Sequence, residues 1–580
     1  VLGNQTLKFG LDLYKEQNRQ ILSGAGRPDF VFRNVWDFAN DAPDQEFGDF
    51  DPSNGVPTNA TGYFNTSIWA LFLQDDYKVK PNLTVNLGLR WEYFSPIHEK
   101  YNHLGYPILG AAPNQLTGLT LGIGGNLYNS QKANFGPQIG FAWTPNKIPF
   151  SPIDTHNRLV VRGGFGLGYT RMEEAVTLSP LSNVPFHAFF NFIGPTASDI
   201  LYLAPSDPHQ FNNWPANPNA RLTFDPNTHL PTTGASVTLD GIQRNLQTPM
   251  TMRYSLETQY DLGHSWIATV GYQGNESRHF TREQNLNWEF AGVNPHINNL
   301  IFWTNDANGD YNALLTELEH HARTTEIDAQ YTYSRAMDDG SNDFFMGDYE
   351  FDHRALWGPS DYDVAHNFKL WGSWSPKIFT GSNNWMEKVI GGWTASGIWN
   401  VHSGFPWTPQ YNVQIQADPN TCSLVYNGSG YCTVRPGRYL GGAGANYTNK
   451  TFEQQLGNFP AGASLYFLPP TLSASGIPPF PGVHRNSFRG PRYNAVDFTL
   501  GKAFGLPNTR LLGEGANLQL RADFYNLFNQ VNLAPIPNQT IGTIIVPASG
   551  SETVVPNATF DQAQAGLAGR VIELQARFSF

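Results

Sequence analysis

Long apolar runs, basic patches and enzyme signatures are all missing from this 580-residue chain. No uninterrupted apolar stretch approaches the roughly 18 residues a membrane helix needs, so any membrane crossing would have to be made by a closed barrel of strands. Lys and Arg number 36 against 48 Asp and Glu, a net charge of −12, and nothing concentrates the basic residues. Binding phosphates requires such concentration, which excludes nucleic acid as a partner. The chain has no G-x-S-x-G elbow, phosphate loop or zinc signature, and these absences leave an enzyme without its chemistry. Stretches with helical periodicity and caps are scarce too. Val1-Leu2-Gly3-Asn4 shows neither a basic nor an apolar segment of an export signal, so any such signal was removed or lies elsewhere.

What is present is turn and strand chemistry. Aromatics make up 14% of the residues, charged residues only 14%, and Gly and Pro number 56 and 41, which favours many short strands joined by turns and loops. No compositional shift marks a domain boundary, and one large all-β architecture is expected. From Ile572 to Phe580 the chain alternates: Ile572, Leu574, Ala576, Phe578 and Phe580 share one strand face, and Glu573, Gln575, Arg577 and Ser579 the other. A greasy face backed by a charged one suits a wall between lipid and a polar lumen. The mean hydropathy of −0.37 would suit a water-soluble β protein as well.

The same alternation predicts strands near 5–14, 28–35, 66–79, 82–94, 135–144, 158–171, 249–260 and 265–276. Others follow near 311–320, 324–337, 362–375, 389–405, 491–504, 516–529 and 569–580, about fifteen in all by this reading. Connections alternate in length. Those at Lys80-Pro81, 261–264 and Arg323-Thr324 are tight, whereas long loops fall near 35–65, 95–134, 172–248, 277–310, 338–361, 406–490 and 530–568. Short turns on one rim and long loops on the other are the pattern of a transmembrane antiparallel β-barrel, with the long loops extracellular and the turns periplasmic. Aromatics near strand ends, among them Trp69, Phe72, Tyr93, Tyr272, Tyr311, Tyr333, Trp399, Trp407 and Tyr493, read as part of an interfacial girdle.

These segments carry a family resemblance. Leu73-Gln74-Asp75-Asp76-Tyr77, residues 81–92, 134–143, 161–166, 311–314, 331–334 and 363–368, Gly391-Gly392-Trp393, Ser403-Gly404-Phe405-Pro406, 489–491, and Arg521-Ala522-Asp523-Phe524-Tyr525-Asn526-Leu527-Phe528-Asn529 resemble the barrel of TonB-dependent receptors. The nearest group is the Oar-like one, whose members carry a carboxypeptidase-regulatory-like domain ahead of the plug. The resemblance implies a barrel of about 22 strands, of which 14–15 are visible here. It makes residues 1–580 a partial barrel, with plug and N-terminal domain not in this chain. It further implies a receptor in the bacterial outer membrane that binds a ligand at its extracellular loops for energised import. Its partners would be outer-membrane lipid and lipopolysaccharide, the barrel-assembly machinery, and TonB acting through a plug. Phe578 and Phe580 resemble the C-terminal insertion signal of such barrels. A structural or adhesive surface barrel without transport is the alternative reading.

No cofactor or metal site is expected. Asp306-Ala307-Asn308-Gly309-Asp310 alternates oxygen donors but lacks the distal Glu of a calcium loop, and reads as a polar turn before Tyr311. Asp37, Asp41, Asp44, Glu46, Asp49 and Asp51 read as a solvated loop. His320 and His321 face opposite ways on a strand, and Asp361, Asp363 and His366 fall in family-like strand sequence, which favours structural roles. Cys422 and Cys432 are expected to form a disulfide in an oxidising compartment, worth on the order of 2–3 kcal/mol. The Phe-rich stretch 185–192 is expected to pack loops together. Arg90, Glu92, Arg521, Asp523, Glu573 and Arg577, with Arg253, Glu257, Glu326 and Asp328, are expected to face the lumen and to form ion pairs there.

Overall fold

The computed structural model describes residues 3–21, 29–40, 42–111, 115–147, 155–173, 176, 179–193, 217–286, 296–341, 349, 352–377, 386, 389–415, 433–441, 466–472, 480–506, 516–547 and 550–579. Its dominant element is a seventeen-stranded sheet. Three members are short loop pieces, at 98–99, 237–242 and 358–359, which leaves a wall of fourteen. The wall strands are β1 (Gln5–Ile21), β2 (Thr61–Lys80), β3 (Leu83–Phe94), β4 (Gln131–Trp143), β5 (Leu159–Tyr169), β6 (Met250–Gly263) and β7 (Trp266–Asn285). They continue with β8 (Ile297–His321), β9 (Thr325–Asp338), β10 (His366–Trp374), β11 (Trp393–His402), β12 (Tyr493–Gly505), β13 (Asn517–Tyr525) and β14 (Val571–Ser579). Each pairs antiparallel with the next in sequence, from β1 with β2 through β13 with β14.

The register keeps one apolar face continuous across every strand. Leu11, Leu71 and Trp91 align, as do Leu87 and Ile139, Leu256 and Tyr272, Leu370 and Trp399, and Leu500, Ala522 and Leu574. A one-residue slip anywhere would turn a strand's Leu and Phe into the lumen, so the pattern pins the pairing. These side chains are bare of protein: Phe9 is 85%, Leu13 69% and Leu574 82% exposed. Such a surface needs lipid as its solvent.

Connections on one rim are short. The β6–β7 turn is the two residues His264-Ser265, both with positive φ (54° and 63°), the hairpin geometry whose twist matches the strands. On the other rim the chain leaves the wall for long excursions at 22–60, 95–130, 170–249, 339–365, 403–492 and 526–570.

Two expectations need correction. The strand near 28–35 is not in the wall: Asp29–Val31 pairs with Gln45–Asp51 instead, and the short helix Val35–Ala39 follows because Asn34 Oδ1 caps the Trp36 and Asp37 amides at 2.8 and 3.0 Å. Residues 277–310 are mostly not loop, since β7 and β8 run on well past the sequence estimate and only 286–296 connects them. The barrel does not close among the described residues: β1 pairs only with β2, and β14 only with β13. Across the polar face, Arg90 on β3 reaches over β2 to Asp12 on β1 at 3.1 Å. Among the described residues no helix is long and apolar enough to cross a membrane.

The excursions fold into two packed lobes. One gathers Phe50, Leu121, Val184, Phe190 and Leu239 from three different loops and Leu300 from β8. It continues below into a cluster of Phe64, Ile97, Leu104, Leu181 and Trp303. The second packs Trp407, Tyr411, Phe467, Ile541, Ile544 and Phe560. Its backbone is a four-stranded sheet in which 410–415 runs parallel to 540–546. Parallel neighbours far apart in sequence need no short turn, which is why loop patterning alone does not reveal them.

Candidate functional site

The charged side chains expected in the lumen share the polar face. Arg90 Nε donates to Glu92 at 2.8 Å, and Arg521 Nε to Asp523 at 2.8 Å. Lys8 pairs with Asp76 at 2.8 Å, Arg162 with Glu257 at 3.0 Å, and Arg171 with Glu16. Each of the first two pairs joins residues two apart on one strand, which places both on the same face. Glu573 and Arg577 are also on that face of β14 but four residues apart, too far to meet. Glu573 instead lies opposite Asp523, and Arg577 opposite Gln519. Phe578 lies opposite Leu518 on the apolar face. Phe580, Cys422 and Cys432 fall outside the described residues.

Between the ion pairs the lumen wall has little side-chain bulk. Gly88, Gln138, Gly166, Arg253, Asn275 and Tyr311 form one cross-strand row over six strands. A Cβ on Gly88 or Gly166 would meet its nearest neighbour at 3.5 or 3.6 Å, an ordinary contact, so packing within the wall does not demand glycine there. The result is a cavity of about 520 Å³ whose lining includes Asn86, Gln138, Arg253, Gln273, Asn275 and Tyr311. A second, of about 370 Å³, shares Asn275 and Tyr311 and reaches the loop base at Asp338 and Tyr362. Such a lining can hydrogen-bond a polar solute.

The second lobe is tied to the wall by an arginine clamp that sequence reading missed. Arg485, 4% exposed at its side chain, donates to Asp338 Oδ1 at 2.8 Å, Asp361 Oδ1 at 3.2 Å, Ser341 Oγ at 2.6 Å and the Leu356 carbonyl at 3.1 Å. Asn486 adds bonds to Asp361 and to the Pro359 carbonyl, and Arg489 pairs with Asp363, whose other oxygen accepts from the Ala336 amide. Asp361 and Asp363 are thus consumed by structure. The signal was split across more than a hundred residues, with no local spacing to betray it.

Two acidic motifs resolve differently from expectation. Asp306 sits inside β8, not in a turn, and its carboxylate takes Arg282 at 2.8 Å; Arg282 is 1% exposed, and the pair needs a strand to hold it. The acidic stretch is only partly solvated, since Glu46 and Asp49 are fully buried in the first lobe. Burial pushes the Asp49 carboxyl up to about 6, with the Ser182 hydroxyl beside it acting in the opposite sense. His320 stacks on Trp266 on the apolar side, and His321 reaches Glu319 and Glu326 on the other. His366 bonds the Tyr331 hydroxyl at 2.8 Å. In the Phe-rich stretch, Ala188–Ile193 pairs with Gln45–Asp51 and buries Phe190 against Phe50. Of the aromatics expected in the girdle, Trp69, Tyr93, Tyr272, Tyr333 and Trp399 lie on the apolar face. By register Phe72, Tyr311 and Tyr493 belong to the lumen, and Trp407 is buried in the second lobe.

A wall with one lipid face and one polar face, turns on one rim and folded loops on the other, defines an outer-membrane β-barrel protein. The chain matches the outer membrane beta barrel domain family over residues 1–569 and belongs to it, which places it in the bacterial outer membrane. No curated protein matches. Among solved structures, it is similar to the outer membrane transporter YddB from Escherichia coli at 10% identity and a TM-score of 0.41, covering 99% of this chain and 61% of that one. It is also similar to the copper transporter OprC at 10% identity and 0.41, covering 100% and 56%. For the FrpB iron transporter from Neisseria meningitidis the values are 8% and 0.41, covering 100% and 53%. The chain thus spans less than two thirds of the length of each.

Proposed function

We propose that this chain is the barrel portion of a TonB-dependent receptor of the Oar-like type, which captures a ligand at its outer lobes and passes it inward through the lumen, with no covalent chemistry on the ligand. The observation that carries this reading is the pair of adjoining cavities, running from Asp338 and Tyr362 at the loop base to Asn86 and Gln138 on the wall. A passage lined by hydrogen-bonding groups beneath two pre-folded lobes suits capture followed by transfer; lobes with cores of their own lose little entropy when they bind. Energy would come from TonB through a plug, and the barrel-assembly machinery would place the wall among lipid and lipopolysaccharide.

The adhesive alternative draws on the outer helix Val35–Ala39, where Trp36 and Phe38 stand 75% and 66% exposed. The two readings part on energy. A deletion strain grown on media each limiting in one nutrient should show a defect on at least one, and depletion of TonB in the parent should reproduce it. Unaltered growth on every medium, together with lost cell attachment, would establish the adhesive reading instead.

A further inference from the structure

The lumen wall gathers like charges near its short-turn rim. Glu317 and Glu319, two apart on β8, leave the same face of the strand. Asp328 of β9 stands directly opposite Glu319, and Gln330 opposite Glu317. Ligand oxygens of the three carboxylates lie within 4.8 Å of one another. Like charges directly opposed across a sheet destabilise it, and carboxylates this close cannot all stay ionised without a counter-charge.

The donors that the wall supplies are neutral. Gln330 Nε2 donates to Glu317 at 2.7 Å and to Asp328 Oδ2 at 3.0 Å, and Trp371 Nε1 donates to the same Asp328 oxygen at 2.9 Å. His321 stands 3.8 Å from Glu319, and among the described residues no Lys or Arg forms an ion pair with any of the three. Asp328 is 6% exposed, and its second oxygen, Oδ1, is withdrawn from solvent and accepts no hydrogen bond. A buried carboxylate oxygen with unused lone pairs, set against two further carboxylates, is the environment a cation fills.

We propose that Glu317, Glu319 and Asp328 bind calcium on the lumen wall. The donors are all oxygen, which selects a hard ion over transition metals that prefer imidazole or thiolate. At calcium–oxygen distances of about 2.3–2.6 Å, two ligands of one ion lie no more than about 5 Å apart, a limit the three carboxylates meet. Calcium tolerates irregular shells of about six to eight oxygens, and the half-exposed Glu317 and Glu319 leave room for lumen water to complete one, whereas magnesium demands a regular octahedron. The ion would join β8 to β9 and cancel their repulsion.

Trp371 makes the site observable, because its indole already touches Asp328. The full chain, folded in detergent micelles, is titrated with terbium under tryptophan excitation and then chased with calcium or magnesium. Sensitised emission is expected, displaced by calcium at a concentration at least tenfold below that of magnesium. The Glu319→Gln/Asp328→Asn double variant should need at least tenfold more terbium. Trp371→Phe should lose most of the emission yet keep its calcium heat by calorimetry. If the double variant does not fold, as judged by heat-modified gel mobility, Glu317→Gln carries the same tenfold expectation. Absent emission from the wild type, emission indifferent to the carboxylate substitutions, or equal chase by magnesium would overturn the assignment.

Discussion

The wall and the lobes use the same apolar residue types under opposite physics. On the wall, Phe9, Leu13, Leu71 and Leu574 point away from all protein, and the strands are held by thirteen successive ladders whose register the alternation dictates. In the lobes, Phe50, Leu239, Tyr411, Phe467 and Ile544 are fully buried among residues drawn from different loops. The wall therefore depends on its solvent, since lipid must cover one face and water the other. The lobes depend on self-burial, as a soluble domain does. The contrast teaches that hydrophobicity in this chain has no single meaning: its period separates wall from lobe, and mean hydropathy averages the two away.

The contrast can be broken from either side. Phe467→Ala should cost the second lobe about 3–5 kcal/mol by leaving a cavity in its core. Proteolysis within that lobe should accelerate, while the wall keeps its heat-modified gel mobility. Leu71→Arg is the converse, placing a charge on the lipid face of β2 at about 2–4 kcal/mol if that position lies near the bilayer midplane. Membrane insertion should fall and the lobes, where formed, should resist protease as before. Equal damage to both regions by either variant would dissolve the distinction.

Asp49 sharpens it further, because its carboxyl is fully buried in the first lobe. Its folded pKa of about 6 exceeds the ordinary value of 3.8, so the folded lobe holds the proton more tightly than the unfolded chain does. Stability is greatest below about pH 4 and is lost as the pH rises to about 6, after which the loss is complete, at about 3 kcal/mol as an upper figure. Asp49→Asn should flatten that pH dependence and raise protection of the 45–51 amides at pH 7.5, read by hydrogen exchange. The smallest effect belongs to the lumen pairs: Arg90→Ala should shift stability by no more than about 1 kcal/mol, and less in high salt, because the pair is open to water.

Where a strand's two faces meet different solvents, the chain had to write that difference at every second residue. Leu83 to Glu92, Leu518 to Asp523 and Ile572 to Ser579 were therefore readable as wall, and the lumen pairs Arg90 with Glu92 and Arg521 with Asp523 followed from an i, i+2 spacing. Asp29–Val31 misled because three apolar-flanked residues look alike in a wall and in a loop hairpin. The upper halves of β7 and β8 misled because above the bilayer their lipid face becomes protein, and the alternation stops.

Local chemistry by itself thus determined the wall, its two faces, its register and the rim that bears the loops, because each of those depends on neighbours two residues away or directly across a ladder. Only the tertiary structure decided the lobes, the Arg485 clamp and the burial of Asp49. These join residues through contacts that no period encodes: Arg485 lies 147 positions from Asp338, and Asn217 lies 171 from Glu46. Their energy comes from burial and charge placement in three dimensions, which a one-dimensional pattern does not carry.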